Sequence, residues 1–208
     1  MSDVDWPDVV ATLRERGAMA FDEGLRDDEI ARVESRFGFR FPPDLRAFLS
    51  AGLPRGPSFP DWRAGEPAVL ADWLAQPADG VAFDVHGGFW LPEWGLRPES
   101  PDDAERVVRA LVADAPTLIP IYAHRMMPDE PHADGNPVFS VHQTDIIVYG
   151  SDLLRYLQAD FGGSWSAPAH DVRKIRFWDL ERFELRWAQG EGIAMDPNGP
   201  TARLLRGS

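Results

Sequence analysis

The stretch RFGFRFPPDLRAFLSAG, residues 36–52, decides how the chain is built. Phe39 and Phe41 alternate with Arg40, so this run reads as extended, with its aromatic side turned inward. Pro42 keeps the residue before it out of the helical region. Pro43 suits the first turn of a helix, where a missing N–H costs nothing. Leu45, Phe48 and Leu49 then recur at helical spacing, and Gly52 closes the segment. Upstream, Ile30, Val33 and Phe37 recur in the same way behind the acidic start Asp27-Asp28-Glu29, with Gly38 as the left-handed residue past the helix end. The double proline is expected to be a rigid corner between two short helices.

Reading outward, Val9, Val10 and Leu13 predict a first helix over residues 8–16, stopped by Gly17. Residues 53–68, rich in Pro and Gly, predict a long ordered loop in which Phe59 and Trp62 have something to bury. Residues 69–75 predict a turn or two of helix stopped by Pro77. VAFDVHGGFWLPEWG, residues 81–95, then reads as a strand, a Gly-Gly turn and an aromatic return. Ala104, Val107, Val108, Leu111 and Val112 mark a helix over residues 102–113. TLIPIYAH is a buried strand, and residues 138–142 and 145–149 form a hairpin about Gln143-Thr144. Ser151 caps a helix carrying Leu153, Leu154, Leu157 and Phe161. Residues 172–187 supply a final strand or helical segment, and residues 190–208 a mobile tail. This order of elements predicts an α+β fold, with N-terminal helices packed on a mostly antiparallel β-sheet and further helices around it.

Composition narrows the function. The chain has 208 residues, 44% hydrophobic content and eight Trp, enough for a well-buried core. It has no cysteine, which excludes disulfides, thiolate metal sites and cysteine nucleophiles and fits a reducing cytoplasm. The first residues carry no signal-peptide pattern and no run is apolar enough for a membrane span, so a cytoplasmic protein is expected. A formal net charge of −13 disfavours nucleic acid as a partner and favours a basic protein.

The segment GLRDDEIARVESRFGFRFPPDLRAFLSAG resembles the signature of the SUKH superfamily, the cell-wall-assembly-regulator-like and bacterial toxin-immunity proteins. The matching positions are Ile30, Glu34, Phe37-Gly38, Phe41-Pro42, Leu45, Phe48-Leu49 and Gly52, with Phe41 where leucine is commonest. LIPIYAH, NPVFSVHQTDIIVYG and SDLLRYLQADFG are similar, more loosely, to the central strand, hairpin and following helix of that family. The resemblance implies one SUKH-like domain over residues 1–189, with an insertion at about residues 54–105. It also implies a non-catalytic module that binds a protein, such as an immunity protein covering a basic toxin in the cytoplasm.

Chemistry-bearing side chains gather in IYAHRMMPDEPHADGNPVFSVHQTD, where His124, Asp129, Glu130, His132, Asp134, His142 and Asp145 are of the types that hold zinc, manganese or iron. Their spacing follows no established ligand pattern, and a turn-rich loop has the same composition. His124 and His142, each following a strand, are the best metal candidates. Ser140 and Ser151 lack a GxSxG elbow, and His86-Gly87-Gly88 reads as a hairpin turn, not a phosphate loop. No cofactor is expected and no catalytic residue is assigned. For partner binding, Arg55, Arg63, Trp90 and Trp94 are the candidates for one exposed patch, because Trp and Arg dominate interface hot spots. The alternative is a small-ligand or metal site, or an enzyme, using residues 124–145 with the aromatic insertion.

Overall fold

In the computed structural model, which describes residues 4–162 and 172–178, the proline corner folds as its residues dictate. Helix α1 covers Trp6–Glu15 and α2 covers Asp27–Phe37, ending at Gly38 with φ 75°. Phe39 and Phe41 are both buried, packed edge to face at 5.0 Å, and Pro43 opens α3, Pro43–Ala51. The Glu34 carboxylate accepts the Phe41 N–H at 3.0 Å, so a carboxylate supplies the partner that extended backbone entering a helix lacks. Trp62 closes the cluster, 5.5 Å from the Phe41 ring and 5.8 Å from that of Phe39.

Two short strands lie where none was expected. Strand β1, Ala20–Asp22, pairs antiparallel with β2, Leu53–Arg55, at the start of the Pro- and Gly-rich loop. The main sheet is an antiparallel meander of β3 (Leu118–Tyr122), β4 (Arg125–Pro128), β5 (Val138–His142) and β6 (Asp145–Gly150). The fold is therefore α+β. Strand β4 occupies the start of the His/Asp-rich segment, so only residues 129–137 remain as a loop there. That loop is pinned from inside: the Asn136 side chain is fully buried and donates to the Pro128 and Pro131 carbonyls, and the Gly135 N–H donates to buried Asp44.

Alternate residues of the meander feed two cores. Ile119, Ile121, Met127 and Val138 join the helices α1–α3 and α6 (Leu153–Phe161) on one face. Leu118, Met126, Phe139, Val141 and Ile146 face Val81, Val85, Phe89–Leu91 and α5 (Pro101–Ala113) on the other. Residues 172–178 have no regular structure and bring Ile175 and Trp178 into this second core. Helix α6 is capped by Asp152, which accepts the Arg155 N–H at 2.8 Å, one residue beyond the expected Ser151.

The largest correction concerns residues 67–86. They form one helix, α4 (Pro67–His86), which runs through Pro77 and absorbs the expected strand. A strand would bury Val81, Phe83 and Val85 together. The structure buries Val81, Ala82, Asp84 and Val85 and leaves Phe83 67% exposed, which is helical periodicity. Helix α4 lies across the hairpin-turn end of the sheet. The Trp73 indole N–H donates to the Ala123 carbonyl, Gly80 abuts Gln143, and the Asp84 carboxylate accepts both the N–H and the hydroxyl of Thr144. Among the described residues no helix is long and apolar enough to cross a membrane. The expected tail, residues 190–208, and most of the expected final segment lie outside the described residues.

Candidate functional site

The hairpin-turn end of the sheet is where His124 and His142 fall. His124 stands in the β3–β4 turn and His142 ends β5; both are exposed, and His142 is close enough to bear on the charge of His124. His124 is held below the ordinary imidazole range, first by partial burial and then by the neighbouring Arg125 and His142. Arg125 contacts the His124 ring, donates to Ser140 Oγ at 3.0 Å, lies 3.7 Å over the Tyr149 ring and has Nε 3.7 Å from Asp160 Oδ2. A guanidinium against the His124 imidazole opposes a second cation there. Among the described residues no three His, Asp or Glu side chains gather in a way that could hold a metal ion. Asp129 is engaged elsewhere. It accepts the Thr117 N–H at 2.7 Å, and burial raises its pKa above the ordinary carboxylate value.

A second locus is a groove of about 110 Å³ between α2 and the loop ahead of α4, lined by Arg32, Arg36, Phe37, Trp62, Arg63 and Leu70. Its charged floor holds the fold together. Arg63 donates to Glu29 Oε1 at 2.8 Å and Oε2 at 3.1 Å, and to the Glu23 and Gly24 carbonyls. Those bonds, with the Arg26 N–H, hold the Glu29 carboxyl at about 2. Arg55 is bonded to Asp61 at 2.8 Å and lies 3.3 Å from Asp22.

The exposed patch expected from Arg55, Arg63, Trp90 and Trp94 is not formed. Trp90 is only 7% exposed, because the Gly95 carbonyl in the turn that follows accepts its indole N–H at 2.8 Å and removes the cost of burying it. Trp94 is half-buried, edge on to Trp90 at 5.3 Å and stacked on Phe177 at 5.9 Å. These two rings pack the second core, whereas Arg63 is clamped to α2 beside the first.

The outward-facing apolar residues lie elsewhere. Among the described residues the exposed large hydrophobic side chains are Val69, Phe83, Leu96, Val107 and Ile147, and four of these five fall on α4, α5 or their connection. That concentration marks the α4–α5 layer as the surface with apolar material to offer. An ion-pair lattice binds the two helices beside Phe83: Asp79 to Arg109 at 2.7 Å, Arg109 to Glu105 at 2.8 Å, and His86 3.6 Å from Glu105. The signal for Phe83 was in the sequence, since Val81, Ala82 and Val85 at helical spacing already leave it outside. The alternation of Val81, Phe83 and Val85 hid it.

No family model, no curated protein and no solved structure matches the chain.

Proposed function

We propose that this chain is a non-catalytic protein-binding module of the SUKH immunity kind, which covers a basic protein, a toxin, in the cytoplasm. The observation that supports it is where the charge goes. Buried or half-buried charged groups are tied into the fold: Glu29 with Arg63, Asp84 with Thr144, Asp44 with Gly135. Other acids stand in solvent, among them Asp72, Glu93 and Glu99. An acidic surface accelerates encounter with a basic partner, and apolar contacts then slow release. A metal or small-ligand reading through residues 124–145 is less favoured, because Arg125 contacts the His124 ring and Asp129 is bonded to Thr117.

The test is affinity purification of the tagged full chain from its native cell extract, with an equally acidic unrelated protein as control. A basic protein retained in stoichiometric amount, whose toxicity in a host cell is relieved by co-expressing this chain, is the expected outcome. Retention of nothing beyond what the control retains would sink the reading.

A further inference from the structure

We infer that the partner docks on the outer face of α4 and α5, with Phe83 as the central anchor and Leu96 beside it. The occupant is a basic protein surface carrying an apolar socket. This inference rests on the protein-binding reading above and names the surface that performs it. Asp79, Phe83 and His86 share one stripe of α4, spaced by four and then three residues, so the aromatic ring stands between two members of the α4–α5 ion-pair lattice. Leu96 is 98% exposed, and its neighbour Arg97 donates to the Val85 carbonyl at 3.1 Å, which ties that loop to the end of α4 that carries Phe83.

Phe83 and Leu96 are the two most exposed large apolar side chains among the described residues, on segments joined by the Arg97–Val85 bond. Charge identifies what covers them. Residues 67–114 carry nine carboxylates against three arginines, and of those acids only Asp84 is buried. An apolar centre inside an acidic frame is complementary to a socket rimmed by Lys and Arg. The ion pairs along the seam hold the two helices in fixed register, so the anchor is presented on rigid elements.

The experiment places the photo-crosslinking analogue p-benzoylphenylalanine at position 83 of the full chain. The probe is the native extract divided on a cation exchanger into basic and acidic protein fractions. The expected result is a crosslink from position 83 to a protein of the basic fraction. That protein, once purified, should lose at least tenfold in affinity for the Phe83→Ser and Leu96→Ser variants, which retain the parent melting temperature, and its binding should weaken as salt rises. A crosslink to a second copy of the chain, to its own C-terminal residues or to a protein of the acidic fraction overturns the inference. Retention of the same basic partner at unchanged affinity by Phe83→Ser also overturns it, while leaving the protein-binding reading intact. If the parent chain retains no protein from either fraction, the protein-binding reading itself fails.

Discussion

Glu29 carries more of the structure than its place in a surface-reading helix suggests. At the third position of α2 it accepts the Arg26 N–H at 2.9 Å, which satisfies one of the donors a helix start leaves open. Its remaining capacity goes to Arg63, 34 residues on, so one buried carboxylate joins α2 to the loop that ends at α4. Its folded-state pKa of about 2 lies below that of an unfolded glutamate, about 4.3. The stability it contributes is therefore complete above the unfolded value and is lost as pH falls through the folded one. Glu29→Gln should lower the urea midpoint at pH 7, with the gap to the parent narrowing below pH 4 and closing near pH 2. A gap that stays constant over that range would exclude the ionised carboxylate as its cause.

Helix α4 shows that an element can form against its local signals. Pro77 removes one donor from the helix interior, and Gly80 weakens it by roughly 1 kcal/mol relative to alanine. Gly80 stays because of what α4 crosses. A Cβ at Gly80 would stand 2.8 Å from Gln143 Cα, a residue held at φ 56° in the β5–β6 turn, so only glycine lets the helix lie against that turn. Gly80→Ala, which stabilises an ordinary exposed helix, is expected here to destabilise by about 1–3 kcal/mol through overpacking. Chemical denaturation monitored by circular dichroism measures the sign, and a gain in stability would mean that α4 does not press on the turn.

At the scale of the molecule, the meander is the shared wall of two cores, so neither can loosen without exposing one face of the other's strands. Trp178 makes the point: fully buried in the second core, it donates its indole N–H to the Pro116 carbonyl at 2.8 Å, just ahead of β3. Trp178→Ala should cost about 3–5 kcal/mol. The loss should appear as a lower midpoint of one transition, with far-ultraviolet circular dichroism and tryptophan fluorescence coinciding. Two separated transitions, with the α1–α3 core surviving the loss of the other, would contradict a shared wall.

Much of this was legible from residue order alone, wherever the physics is local. The periodicity of Ile30, Val33 and Phe37, the left-handed Gly38, and Pro43 at a helix start are consequences of backbone geometry within a few residues, and each element stands where those signals put it. The β5–β6 hairpin was equally readable, because two short apolar runs about a tight turn are a local signal. What tertiary contact alone decided are the features whose reason lies far along the chain. These are the helix through Pro77 and Gly80, the pairing of β1 with β2, the Glu29–Arg63 bond and the burial of Trp90 under its own turn. Favourable burial and hydrogen bonding across tens of residues outweigh propensity penalties of about 3 kcal/mol for the proline and about 1 kcal/mol for the glycine. For the same reason residues 81–85 carried both a helical and an alternating pattern, and the contacts of α4 with the sheet chose the helical one, which leaves Phe83 outside.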